Sequence, residues 1–400
     1  MKKTLIAVAA AAALTATSAF AEITFGAWLR VLASPVASTG EDIIAGVENS
    51  WGYGARTARI NINGTSEDGK AGFAMGVYND LESGLGPGDD YYLWVKPVDT
   101  VKVSVGKFDS PTNGLRGDFT YGSWNWLRPG NWAYDGEGLT FDGIWRQGMM
   151  IEADPIEGLH AFAVIPMSPS YKSAEDTYRN VQIGFGYAIE GVGKLKAQYI
   201  GDYSYTTNKA DGKKDEDATT GQIGVAFDIT AIENLYVTVG ARFGIVADKD
   251  LVPIARPYDP NYLKMAFTAG ASYQVSETMK FSVDGGYKQF QNKFNADDDS
   301  VFFVGAGVDF NVMDGLAAVA DVRYMSNNYG KDKDEGAISF LVGVNKSVSS
   351  NGSLGIGFQG ATNGCGLRGI QAGKSYTAGE ANGDGDEFVW AIPVSVSVWF

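Results

Sequence analysis

Read backwards from its last residue, the chain alternates. Phe400, Val398, Val396, Val394, Ile392, Trp390 and Phe388 are large and apolar; the residues between them, Trp399, Ser397, Ser395, Pro393, Ala391 and Val389, are mostly small or polar. Period two places these sets on opposite faces of one strand. The stretch exceeds the five or six residues usual in soluble sheets and reaches the about 9–11 that a strand needs to cross a bilayer. The alternative is an ordinary edge strand of a secreted sandwich. Pro393 departs from the pattern, because it removes one ladder donor.

The same period recurs upstream. EITFGAWLRVLA at 22–33 sets Ile23, Phe25, Ala27, Leu29 and Val31 against Thr24, Gly26, Trp28 and Arg30. WGYGARTARININ at 51–63 sets Ala58, Ile60 and Ile62 against Thr57, Arg59 and Asn61. AGFAMGVYND (71–80) follows, then a Gly/Pro/Asp loop, YYLWVKPV (91–98), a turn at Asp99-Thr100 and VKVSVGKF (101–108). Further strands are expected near 144–153, 158–166, 179–189, 194–205, 220–229, 234–246, 261–275, 279–290, 300–310, 315–325, 336–347, 353–361 and 387–400. Short links (DPIEG, EGVG, TAIEN, VSETM, NVMDG) alternate with long polar ones such as TTNKADGKKDEDATT. That is the rhythm of antiparallel hairpins in an outer-membrane barrel. The count is eighteen, with sixteen as the alternative, and it is even if both termini face one side. The expected fold is all-β: a transmembrane antiparallel up-and-down barrel forming one domain over 22–400. Closure follows because the hydrocarbon layer offers no water to an unpaired sheet edge.

Residues 1–21, MKKTLIAVAAAAALTATSAFA, read as a cleaved export signal: Lys2 and Lys3, an apolar core from Leu5 to Leu14, and the small-x-small site Ala19-Phe20-Ala21, leaving Glu22 first. No cysteine follows to carry a lipid. No later stretch approaches about eighteen continuous apolar residues. Export with membrane-type strands points to the outer membrane.

Composition agrees. Glycine numbers 52, tyrosine 20 and phenylalanine 21, against 12 prolines and 9 tryptophans, which suits strands, tight turns and interfacial girdles. Girdle candidates are Trp51, Tyr53, Tyr91, Trp94, Tyr199, Tyr273, Tyr287, Tyr324, Trp390 and Trp399; core packing in a sandwich is their other reading. The net charge of −15 becomes −17 without the two lysines of the leader. That opposes nucleic-acid binding. It fits a cation-tolerant pore, and equally exposed acidic loops. The lone Cys365 excludes an intramolecular disulfide. The lone His160 reads as a strand residue and argues against a His-based metal site or a Ser-His-Asp triad. No cofactor and no metal are expected.

One loop differs. DSPTNGLRGDFTYGSWNWLRPGNWAYDGEG (109–138) carries Phe119, Tyr121, Trp124, Trp126, Trp132 and Tyr134. Aromatics in such number need burial, and the barrel interior is the simplest place for them. The junction VSVGKFDSP (103–111) and the long loop after the fifth strand, with the export signal and the terminal Phe400, resemble the trimeric general porins of Gram-negative-type outer membranes. That family's usual count is sixteen strands; with eighteen, substrate-selective channels become nearer relatives. The resemblance implies an inward constriction loop, a homotrimer and a passive pore for small hydrophilic solutes. It implies that Phe400, Val398 and Val396 form an assembly signal read by the barrel assembly machinery, with periplasmic chaperones and outer-membrane lipids as further partners.

Porin eyelets set acids on the inward loop against bases on the wall, and the transverse field filters solutes. On that pattern the constriction candidates from the loop are Asp109, Arg116, Asp118, Arg128, Asp135 and Glu137. From the wall they are Arg30, Arg59 and Lys102, each on the polar face of its strand. Of Arg30, Arg59, Asp118 and Asp135, at least two are expected at the constriction. The alternative for each is a solvated rim charge or a salt bridge pinning the loop. Arg or Lys on the lipid face would cost roughly 2–4 kcal/mol at the midplane, so alternation decides the inward assignment. Trp124, Trp126 and Trp132 are candidates for solute stacking in a sugar-selective channel.

AGKS at 372–375 lacks phosphate-loop spacing because Arg368 stands where a glycine is required. GDGDE (383–387) and ADDD (296–299) lack the twelve-residue calcium-loop spacing. The resulting expectation is a non-enzymatic porin. Its rivals are a substrate-selective channel, a barrel hydrolase dependent on His160, and a surface adhesin plugged by 109–138.

Overall fold

A computed structural model describes residues 22–38, 43–48, 56–80, 84–110, 144–169, 174–203, 219–246, 263–290, 299–326, 336–362 and 388–400. These form twenty strand segments: β1 (Glu22–Ser38), β2 (Ile43–Glu48), β3 (Arg56–Thr65), β4 (Ala71–Asp80), β5 (Gly84–Val98), β6 (Val101–Ser110), β7 (Ile144–Ile156), β8 (Leu159–Pro166), β9 (Gln182–Ile189), β10 (Gly193–Tyr203), β11 (Thr219–Ile229), β12 (Leu235–Val246), β13 (Leu263–Ser276), β14 (Met279–Phe290), β15 (Asp299–Met313), β16 (Leu316–Met325), β17 (Ala337–Ser349), β18 (Gly352–Ala361), β19 (Val389–Ala391) and β20 (Val394–Trp399). One short helix, Ala174–Arg179, lies between β8 and β9.

From β3 onwards each segment pairs antiparallel with the next, up to β18. The ends close on β1. Its residues Glu22–Val31 pair with β3, and Trp28–Ala33 pair with β20 on the other side. Further along β1, Ala33–Ser38 pair with β2, so β2 and β3 are two halves of one wall strand. β19 and β20 are likewise halves, since both pair with β18 and with β1. The wall is therefore a closed antiparallel barrel of eighteen strands. The sixteen-strand alternative falls.

The terminal strand breaks at Ile392-Pro393, where Pro393 can donate no hydrogen bond. Its carbonyl still accepts from the Gly357 amide at 3.0 Å, and Ile392 donates to Val36 at 3.0 Å. Closure is thus kept through the interruption. Residues 84–90 correct the expectation of a loop there. They continue β5 along β4, with a bulge between Met75 and Val77, because a ready ladder outweighs the weak strand propensity of Gly and Pro.

At one end of the barrel every link is short, and its chemistry is that of tight turns. Asn234 takes φ 63° in the TAIEN turn, a conformation asparagine tolerates. Gly158 takes φ 80°, where an added Cβ would come within 2.8 Å of the Ala188 carbonyl. The other end carries the long links.

The two faces are inverted relative to a soluble sheet. In β9, Gln182, Gly184 and Gly186 are buried, while Ile183, Phe185 and Tyr187 are exposed. In β15, Phe302 is 48 % exposed and Val304 43 %, whereas Gly305 and Gly307 are buried. Large apolar side chains face outward and polar or small ones inward, as a lipid-facing barrel requires. Outside, near the long-link end, Phe340 stacks on Phe388 at 6.2 Å and Phe358 on Trp390 at 5.9 Å. Tyr91, Tyr273 and Tyr324 are also on the outer face. Trp94 and Trp399 are not: Trp94 shares its register with buried Ser104, and Trp399 sits opposite Trp28 on the inner face. Trp51 and Tyr53 lie outside the described residues.

The lumen wall as the candidate functional site

Period two delivers charged side chains to the inner wall, and register decides which of them meet. Arg30 and Arg59 both face inward, on β1 and β3, opposite Thr57 and Trp28 respectively. The Arg30 guanidinium lies 5.2 Å from the Trp28 ring centroid, a cation–π distance. Arg59 donates from Nε to Asn61 Oδ1 at 2.6 Å and from Nη2 to Asp90 Oδ2 at 3.3 Å. It reaches β5 over Gly76, whose missing side chain leaves the space: a Cβ there would stand 3.4 Å from Nη2.

Lys102 pairs with Glu152 directly across β6 and β7, Nζ to Oε2 2.6 Å. Beside this pair the wall is apolar. Phe108, Met150 and Val164 have no exposure and Phe162 has 3 %, with Tyr92 packed on Phe108 at 5.3 Å between centroids. Phe162 lies over Gly184, where a Cβ would come within 2.7 Å of the ring.

The wall of β10–β16 carries groups the sequence reading did not single out. Lys196 and Asp228 form an ion pair at 2.6 Å with both side chains buried, and Thr238 donates its hydroxyl to the same carboxylate at 2.8 Å. Arg323 binds Asp321, two residues away on β16, at 2.6 Å from Nε. Asp284 on β14 and Arg323 both register with Gly305 of the strand between them. Lys288 sits 5.5 Å above the inward-facing Phe303 ring. Arg242 shares this face. Their parity was available: each is the polar residue of a period-two run, such as Asp321-Val322-Arg323.

Arg116, Asp118, Arg128, Asp135 and Glu137, with Trp124, Trp126 and Trp132, lie outside the described residues. The backbone of Asp109 is described, paired with Trp145, but its side chain is not. Phe400 and Val396 are on the outer face, 80 % and 44 % exposed, and Val398 follows their parity. His160 stands at the short-link end of β8, with Nδ1 2.8 Å from Asp154 Oδ1. Among the described residues, no group of His, Cys, Asp and Glu is arranged to hold a metal. Together these features make a wall of both charge signs, open to hydrogen bonding, around an interior bounded by an apolar exterior.

No protein-family model and no curated protein matches the chain. Solved structures do. The chain is similar to an anion-selective porin from Comamonas acidovorans, with 16% identity and a TM-score of 0.54, over 95% of this chain and 99% of that one. It is also similar to in-vitro folded OmpT, an outer membrane protein of Vibrio cholerae, with 14% identity and a TM-score of 0.50, over 94% and 97%. At such identities the likeness concerns the fold. With the closed eighteen-strand wall and its inverted faces, it makes this chain, in fold, a β-barrel of the porin type.

Proposed function

We propose that the protein is a porin: a passive, water-filled channel of the bacterial outer membrane for small hydrophilic solutes and ions. The observation that carries this reading is the inverted barrel itself, with charged and amide side chains on the inner face and large apolar ones on the outer face. An interior filled to exclude water would be lined with apolar side chains instead.

In this reading residues 109–138 fold inward and narrow the channel. The buried apolar patch Phe108, Met150, Phe162 and Val164 supports it, because lumen-facing side chains with almost no exposure need cover, and the Trp-rich segment begins where β6 ends. Arg30, Arg59 and Lys102 then set the local field with Asp90, Glu152 and the loop acids. Residues 1–21 direct export, and the short-link end faces the periplasm. Three copies associate in the membrane after delivery through the assembly machinery.

The test is conductance of refolded residues 22–400 in a planar bilayer under a salt gradient. Discrete nanosiemens-order steps establish the pore, and the reversal-potential sign says whether acids or bases govern it. Folded, heat-modifiable protein that gives no steps would overturn the channel reading in favour of a plugged barrel.

A further inference from the structure

The seam where β20 closes on β1 carries a built recess on the inner wall near the short-link end. Its volume is about 390 Å³; its polar lining is Arg30, Asn345, Ser347, Ser353 and Ser397, and its apolar lining is Trp28 and Trp399 with the intervening Leu29 and Val398. Register explains the composition. Arg30 is the direct partner of Ser397, Ser397 of Ser353, and Ser353 of Ser347. One lateral row across four strands is therefore a guanidinium followed by three hydroxyls. Neighbouring strands are about 4.8 Å apart, so the row spans roughly 14 Å. On one side of it Trp28 and Trp399 occupy paired positions on the inner face. On the other, Asn345 brings a carboxamide whose Oδ1 finds no donor among the described residues. A second recess, about 460 Å³, shares Asn345 and Ser347 and runs on past Asn311 to Asp314.

We infer that this groove is a binding subsite for carbohydrate rings bearing a carboxylate, the hexuronate class. The Trp399 ring, 41 % exposed, suits the C–H face of a pyranose, which meets the negative face of an indole. Serine hydroxyls donate and accept, matching ring hydroxyls that do the same. Arg30, held against Trp28, puts a guanidinium with five N–H donors at one end, where positive charge favours a carboxylate. Asp314 stands at the opposite end of the groove, so an anionic group is directed towards Arg30. The continuation into the second recess leaves room for another sugar unit.

The subsite rests on the channel reading for its biological sense, but binding is measured apart from conductance. Glucuronate, glucose and acetate are titrated calorimetrically into the folded barrel of residues 22–400 in detergent, and the same solutes are added during single-channel recording. Glucuronate is expected to saturate and to add current noise, glucose to bind more weakly, and acetate not to saturate. Ser353→Ala and Trp399→Leu each weaken glucuronate at least about fivefold, the worth of one hydrogen bond or stacked ring. Arg30→Gln brings glucuronate down to the level of glucose. If Trp399→Leu does not assemble, Ser353→Ala carries the test. Normal conductance steps with no saturable glucuronate binding overturn the subsite and leave the channel standing, as does binding unchanged in Ser353→Ala. Equal binding of glucose and glucuronate by the unmodified protein overturns the role of Arg30. Saturable binding without conductance steps supports the subsite and overturns the channel.

Discussion

Ala27 and Phe400 exchange both of their backbone hydrogen bonds: Ala27 donates to the Phe400 carbonyl at 3.0 Å, and Phe400 donates to Ala27 at 2.7 Å. The last residue of the chain is thereby stitched to the first strand, and its ring is left on the outer face at 80 % exposure. Phe400→Ser keeps the backbone pair and removes the ring. Membrane-inserted protein, read as the heat-modifiable band on an unboiled gel, is expected to fall severalfold. Equilibrium stability of what does assemble should move by no more than about 1–2 kcal/mol, because a ring 80 % exposed buries little surface within the protein. Unchanged assembly would remove Phe400 from any recognition role.

Lys196 and Asp228 are both buried on the inner wall. Asp228→Ala leaves an uncompensated ammonium and orphans the Thr238 hydroxyl, so a loss of about 3–5 kcal/mol is expected. Replacing both partners by apolar residues should recover most of it. Urea unfolding from lipid vesicles, run as a double-mutant cycle, measures the coupling. Additive losses would mean that the pair does not act as one unit.

The lipid face has a depth profile. Val239 is on the outer face in the middle of β12, and Val312 is on the outer face at the short-link end of β15. Val239→Arg should cost about 2–4 kcal/mol and Val312→Arg about 0–1 kcal/mol. The same unfolding assay distinguishes them. Equal costs would contradict the placement of the membrane around the barrel.

Glu152 neutralises Lys102 across β6 and β7. Glu152→Gln leaves the lysine as a net positive charge on the wall. The reversal potential under a salt gradient should shift towards anions relative to the unmodified pore, and Lys102→Gln should shift it the other way. No shift in either variant would place this pair off the ion path.

Asp68, in the exposed turn between β3 and β4, has its carboxyl held below the ordinary value. The Ser66 hydroxyl donates to it at 2.6 Å and the Lys70 amide at 3.0 Å. A lowered folded-state value means that the turn's stabilisation is fully present above the unfolded carboxylate value, about 3.9, and is lost as pH falls through the folded one. Amide exchange at Lys70, corrected for the intrinsic pH dependence, should therefore accelerate only in acid, and Asp68→Asn should show the faster exchange already at neutral pH.

The wall is legible from local pattern. Period-two alternation in β9, β15 and the terminal strand assigns faces without any tertiary information, because pleating alone sends successive side chains to opposite sides. Alternating short and long links set the antiparallel order and a count of eighteen or sixteen, and the closed wall settles it at eighteen. The inward placement of Arg30 and Arg59 was legible for the same reason, since parity is a local property. Which side chains meet depends on strand pairing across the barrel. Glu152 finds Lys102, and Lys196 finds Asp228, through registers that join separate strands. Alternation already sets Trp399 on the face opposite Phe400, against the girdle role its place near a strand end suggested, and closure of β20 on β1 makes Trp28 its partner there. The row from Arg30 to Ser347 likewise exists only once the first and last strands are neighbours. Closure joins residues at the two ends of the chain, and no local pattern encodes that distance.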